Sequence, residues 1–405
     1  MTRMTRRLAL GTGAAALASP LVSRSAWAQG SPVRIGVILP TSGVLAVPGQ
    51  ASRRGIDLGE AMLGGSAGTA VEFLHADTES KGENGRLAAE RLIGEGATLL
   101  IGAWDSATTI SAAQVAEQQG IPLLVNIASA PQLTDQGFTR LFRNFTPATT
   151  LVYNAVARIK ELQDLTGTQP RTAVLMHVND TFGQAVAGGV NALWDQLGLD
   201  IEIVDQISYD LRARDLSVEI AKAKASEPDI LMPITRVNDA ILIVREMVKQ
   251  RFEPMGIIGP GSPGPYEKAF TDATGKFGDE YLTCVPWYDP SATGTDAAVA
   301  AFRETYPDER FELNVGFSYE AVQIAMDAIS RAGGGDPGAL TEALRATRID
   351  DHIMYGGPIE FDETGQNPNI GGVMVQNQGG EPVVVAPTEI AVADAIFPMT
   401  PFAER

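Results

Sequence analysis

From Val33 onward the chain alternates short apolar runs rich in β-branched residues with segments of helical period, and no other feature limits its fold so tightly. The first stretch reads Val33–Pro40 then Gly49–Leu63, Ala70–Ala76 then Asn84–Gly94, Thr98–Gly102 then Thr108–Gln119, and Pro122–Asn126. Strands apolar on both faces and separated by helices predict a parallel sheet covered on both sides. The pattern restarts with a helix from Thr149 to Leu162. It continues through strand Thr172–Val178, helix Phe182–Leu197, strand Ile201–Ser208, helix Leu216–Ala225, strand Ile230–Ile234, helix Asp239–Gln250 and strand Met255–Gly259. Two successive units of this kind predict an α/β protein of two Rossmann-like lobes with central parallel sheets.

Later elements are sparser: a strand at Tyr281–Val285, helices Ala297–Tyr306, Tyr319–Arg331 and Pro337–Thr347, a hairpin-like Ile359–Gly365, and strands Val373–Gln376 and Val383–Val385. They are too few for a third domain and must complete the first two sheets, so the chain has to cross between lobes more than once. Such crossings form a hinge and leave a cleft at the carboxyl ends of the strands, where ligands of open α/β sheets sit. Ile390–Arg405, with Pro398 and Pro401, reads as an irregular tail.

Composition narrows the function. A chain of 405 residues with 44% hydrophobic residues has room for two or three cores. Its 31 basic and 49 acidic residues leave −18, an unfavourable field for nucleic acid, which binds through neutralisation of phosphates. One cysteine, Cys284, and three scattered histidines, His75, His177 and His352, offer neither a disulfide nor zinc-site spacing, and no cofactor is expected. At the N-terminus Arg6-Arg7 precede an Ala/Gly/Leu run ending in Ser25-Ala26-Trp27-Ala28, the pattern of an export signal cleaved near Ala28, twin-arginine-like in form. Residues 1–28 carry four arginines and no acid, so the mature chain would hold −18 − 4 = −22 and diffuse freely in the periplasm. In that oxidising compartment Cys284 is expected to be a buried structural thiol.

Catalytic motifs fail on context. Gly64-Gly65-Ser66-Ala67-Gly68 has the spacing of a nucleophile elbow but follows a helix and precedes a strand, the reverse of what the elbow needs. Gly259-Pro260-Gly261-Ser262-Pro263-Gly264 lacks the spacing of a phosphate cradle and reads as a tight turn facing the cleft. No carboxylate pair or Ser/His/Asp set assembles, so an enzyme is not expected. Ile101–Thr109 is more informative: an apolar strand, a glycine, then Trp104, Asp105 and Ser106 opening a helix whose free N–H groups favour an anion. Asp105 or Ser106 could equally serve only as its N-cap. The next strand ends in Asn126-Ile127-Ala128-Ser129, which puts a second hydroxyl at the same sheet edge.

These segments, taken with Val33–Gly43, Gly49-Gln50, Gly120-Ile121-Pro122, Phe142-Arg143, His177–Gly183, Pro228-Asp229, Gly316–Ala321 and Gly357–Gly365, resemble the periplasmic binding proteins of the branched-chain amino acid ABC transporters. The likeness runs in order over residues 33–386. It implies a type I periplasmic binding protein with a three-strand hinge, which closes on a small molecule, then docks as a monomer on the permease of an ABC importer. The expected lobes are 32–147 plus 286–370 and 148–285 plus 371–387, with 388–405 as tail. A sensor that delivers its bound state to a receptor is the alternative function.

The resemblance also implies a ligand site: the loop Trp104–Ala107 with Ser106, together with Ala128 and Ser129, around a carboxylate, and Phe182 as the second lobe's aromatic; Asp105, within that loop, is unexpected beside a carboxylate. Three positions depart from the family. Gly261 and Ala148 fall where acids would hold a ligand ammonium, and Arg236 falls where an aromatic is usual. A buried ammonium without an anion is costly, so within the expected class of a small carboxylate, amino acid or amino-acid-like ligand a carboxylate or amide lacking that group, aromatic or branched, is favoured over a standard α-amino acid. Arg236 is either part of this wall or a solvated loop arginine. Trp104 and Phe182 are either packing residues or an apolar clamp. Asp105 either takes a ligand ammonium or pairs with Arg236.

Overall fold

A computed structural model describes residues 32–405, so the expected export signal lies outside the described residues. The first sheet contains β1 (Val33–Leu39), β2 (Val71–Asp77), β3 (Leu99–Gly102), β4 (Leu123–Val125) and β5 (Leu141–Arg143). Between them lie α1 (Ala46–Leu63), α2 (Asn84–Gly94), α3 (Ser106–Gln119) and the single turn α4 (Gln132–Asp135). All its pairings are parallel, in the order β2-β1-β3-β4-β5. β1 shows why the segment became a strand: Ile35, Val37, Ile38 and Leu39 are at most 1% exposed, on both faces. Each such side chain contributes about 1.5–3 kcal/mol on burial.

After β5 the chain moves to the second sheet through α5 (Ala148–Thr166), β6 (Thr172–Val178), α6 (Thr181–Leu193), β7 (Glu202–Tyr209), α7 (Ser217–Ala225), β8 (Ile230–Ile234), α8 (Val237–Gln250), β9 (Gly256–Pro260), α9 (Lys268–Thr274) and β10 (Leu282–Val285). It then returns to the first lobe with α10 (Thr295–Thr305), α11 (Leu313–Ala332), α12 (Pro337–Arg345) and the two-residue strands β11 (Arg348–Ile349) and β12 (Ile359–Glu360). A last passage brings β13 (Val373–Gln378) and β14 (Glu381–Ala386) to the second sheet, whose order is β14-β13-β10-β9-β8-β6-β7. There β13 runs antiparallel to β10 and to β14, while the remaining pairs are parallel.

Helix α11 belongs to the first lobe because α1 makes room for it. A Cβ on Gly55 would stand 2.3 Å from the Val315 carbonyl oxygen, and one on Gly59 2.6 Å from Val322. The glycines therefore let the two helices approach nearly backbone to backbone.

Two sequence expectations change. The hairpin-like Ile359–Gly365 is no hairpin of its own: Ile359–Glu360 pairs with Arg348–Ile349, and residues 362–365 form a turn closed by Gly365 N–H donating to Asp362 O. The tail lacks regular elements, yet Phe397, Met399 and Phe402 are buried in the second lobe's core. Gly64–Gly68 is a loop between α1 and β2, as its context required. Cys284 is 1% exposed, and burial pushes its thiol up to about 12, an inert structural thiol.

Candidate functional site

The carboxyl ends of β3 and β4 meet those of β6, β8 and β9 across one cleft. Trp104, Asp105, Ser106, Ala128, Ser129, Phe182, Arg236 and Gly261 all line the same cavity, with about 410 Å³ of empty space counting its mouth. Ala148 does not line it and is fully buried at the start of α5.

On the first lobe, Asp105 is the N-cap of α3: its Oδ1 accepts from Thr108 N–H at 3.0 Å. Its Oδ2 is buried with no hydrogen-bond partner, and burial raises the carboxyl above its ordinary range. Trp104 precedes it with φ 74°, a left-handed backbone that turns the indole toward the second lobe. Its Nε1–H donates to Asn314 Oδ1 at 2.8 Å. Ser106 Oγ accepts from Ala130 N–H at 3.3 Å, tying α3 to the loop after β4. That loop is braced from behind by Arg143, whose Nη1 donates to the Ala130 carbonyl at 2.8 Å and whose Nε donates to Gln366 Oε1 at 2.6 Å. Burial lowers the Arg143 guanidinium to about 10, still charged at neutral pH.

On the second lobe, Asp180 caps α6, its Oδ1 accepting from Gly183 N–H at 2.7 Å. Its Oδ2 takes Arg236 Nη2 at 2.8 Å and Nε at 3.3 Å. Arg236 is the N-cap of α8 and gives its backbone N–H to Asp239 Oδ1 at 2.8 Å. Its guanidinium carbon lies 4.9 Å from the Trp104 ring centre and 4.4 Å from that of Phe182. Burial works against its charge, but pairing with Asp180 outweighs burial and the pKa is raised.

The open alternatives resolve as follows. Arg236 is no solvated loop residue: it is 6% exposed. It does not pair with Asp105, because Asp180 on its own lobe holds two of its nitrogens. Trp104 and Phe182 do face each other, but the guanidinium lies between them, so the clamp is not purely apolar. Gly261, with φ 73°, follows β9, and a Cβ there would meet Leu151 Cδ1 at 2.9 Å. Its tight turn faces the cleft as the sequence suggested.

Sequence reasoning passed over Asp180 and also Asn314 and Tyr266, both of which line the cavity. Asp180 carries a readable signal, a capping Asp at a strand end ahead of Thr181-Phe182-Gly183. Asn314 and Tyr266 carry none, since they arrive from distant parts of the chain.

Two α/β lobes that meet at the carboxyl ends of their strands over a lined cavity define a two-lobed binding protein. The chain belongs to the periplasmic binding protein family, whose model matches residues 32–381. Members bind solutes and are not enzymes. It is 26% identical to the Leu/Ile/Val-binding protein homolog 8 of Brucella abortus, over 96% of this chain and 98% of that one. Among solved structures it is similar to a solute binding protein of an ABC transporter from R. palustris in complex with benzoate, with TM-score 0.78, 22% identity and coverage of 90% of this chain and 99% of that one. It is also similar to the branched-chain amino acid transporter substrate binding protein LivJ of Streptococcus pneumoniae in complex with isoleucine, with TM-score 0.75, 18% identity and coverage of 90% and 99%.

Proposed function

We propose that this protein is the periplasmic solute-binding component of an ABC importer, a monomer that traps a small aromatic or branched carboxylate between its lobes and delivers it to a membrane permease. The lobes in this reading are 32–147 with 286–370 and 148–285 with 371–387, hinged at the crossings between them. The observation that carries it is Arg236: its guanidinium reaches the cavity between Trp104 and Phe182 while Nη1, unlike Nε and Nη2, makes no hydrogen bond among the described residues. A ligand carboxylate on Nη1 would gain a charge-assisted hydrogen bond in a partly dry site. Ser106 and Ser129 hydroxyls complete its cradle on the first lobe, and the aromatic rings accept a flat or branched body.

Titration calorimetry with leucine, its keto acid and benzoate tests this. The acids bind the wild type, and Arg236→Gln weakens them at least tenfold. Micromolar leucine binding with both acids inert would refute the ligand class, and acid binding indifferent to the substitution would remove Arg236 from the site.

A further inference from the structure

Beside the main cavity, two carboxyl groups line a neighbouring groove at the seam between the lobes: Glu267, immediately before α9, and Glu312, immediately before α11. Each is 3% exposed. Glu312 Oε2 accepts from Asn314 N–H at 2.8 Å and from Asn314 Nδ2–H at 3.0 Å. Glu312 Oε1 and Glu267 Oε2 are buried without a hydrogen-bond partner, as is the Tyr266 hydroxyl next to them.

The cations around this groove are committed elsewhere. Arg54 on α1 pairs with Glu309, and Lys268 on α9 pairs with Asp272 at 2.6 Å. Arg310 reaches Glu381 at 3.2 Å and donates to the carbonyls of Tyr266 and Gly380, while Arg236 is held by Asp180. Asp308 is the remaining charged group lining the groove. Among the described residues neither Glu267 nor Glu312 forms an ion pair. Two buried carboxylates in one site cannot both stay ionised cheaply, and retaining a proton relieves them. Burial first, and then the charge of Glu312, push Glu267 well above the usual carboxylate range, and burial does the same for Glu312.

Placement turns this pair into a device. Glu267 lies between β9 and β10 of the second lobe, whereas Glu312 caps the helix that packs on α1 of the first. Parting the lobes would separate the carboxyls and open both to water. Glu312 is also wired to the cavity, because Asn314, its donor, accepts the indole N–H of Trp104.

We propose that Glu267 and Glu312 form a protonation latch across the lobe seam, so that closure takes up a proton and is favoured as pH falls. The latch rests on the closing-lobe reading above. Apart, both groups ionise in the ordinary carboxylate range. Together they retain a proton to higher pH, so the advantage of the closed form is present in acid and lost as pH rises.

X-ray scattering of the ligand-free protein between about pH 5.5 and 8.5 tests the latch. The wild-type radius grows as pH rises. Glu267→Gln and Glu312→Gln, whose amides stay neutral and remove the charge repulsion between the two side chains, hold the acid-form radius throughout. His352→Asn, which removes a histidine partnered by Glu320, expands like the wild type. A wild-type radius independent of pH, or a Glu267→Gln radius that follows the wild type, would overturn the latch. Compaction by benzoate at fixed pH is read separately, so a failed latch leaves the closing-lobe reading standing and a failed closure is seen as such.

Discussion

Asp180 holds Arg236 in a fork, Oδ2 facing both Nη2 and Nε, while its second oxygen caps α6. One carboxylate thus fixes both the guanidinium and the helix that carries Phe182. Asp180→Ala leaves a buried guanidinium uncompensated and removes the cap, so unfolding in urea is expected to show a loss of about 3–5 kcal/mol. Asp180→Asn keeps the cap and should lose less; equal stability of the two variants and the wild type would contradict this account.

Ser106→Ala and Ser129→Ala are each expected to weaken carboxylate binding by ~1.5–3 kcal/mol in calorimetry, since a hydrogen bond to a charged partner is lost. Their stabilities should differ. Ser106→Ala strips the Ala130 N–H of its acceptor and costs about 1 kcal/mol, whereas Ser129→Ala leaves stability unchanged. Undiminished binding by the double variant would confine both hydroxyls to structure.

His75 on β2 should set part of the acid limit of stability. Burial, and after it the charge of Arg53, lower its pKa to about 4, with Asp57 opposing, and its Nδ1 has no hydrogen-bond partner. The unfolded chain therefore binds a proton that the folded chain refuses, and stability falls as pH drops from about 6.5 toward 4. His75→Gln should flatten this limb of the melting-temperature profile; an unchanged slope would assign it to the carboxylates alone.

The C-terminal segment should behave as core. Phe402 is 6% exposed and meets Phe277 edge-on, ring centres 6.0 Å apart. Phe402→Ala is expected to cost roughly 3 kcal/mol in urea unfolding. No change would show that residues 388–405 merely rest on the lobe.

Legibility followed the range of the interactions involved. The strands β1, β6 and β8 could be read because each is mostly apolar and bounded by turn residues, broken only by Arg34 in β1 and by Thr172 and His177 in β6, and α8 because Val237, Ala240, Val244 and Met247 recur on one buried face. The three-residue β5 and the seven-residue α9 are too short for any period to show, and both exist only because neighbours cover them. Tail burial was hidden for a related reason: prolines break its periodicity, yet Phe397 and Met399 need no helix to fill a gap. In the site, Trp104, Ser106 and Ser129 were visible as strand ends beside glycine or hydroxyls. What Arg236 touches was not, because the choice between Asp105 and Asp180 depends on which side of the cleft each carboxylate occupies.

The antiparallel β13–β14 ribbon carries a kinetic consequence. The β10 edge of the second sheet has nothing to pair with until residues 373–378 are made, and by then α10 to β12 have already been laid down on the other lobe. The fold is therefore strongly non-local, with neither half able to finish before nearly the whole chain is available. Such order slows folding and leaves a bare strand edge exposed to intermolecular pairing in the meantime. A nascent chain of this design gains from being held unfolded until its last hundred or so residues have been synthesised.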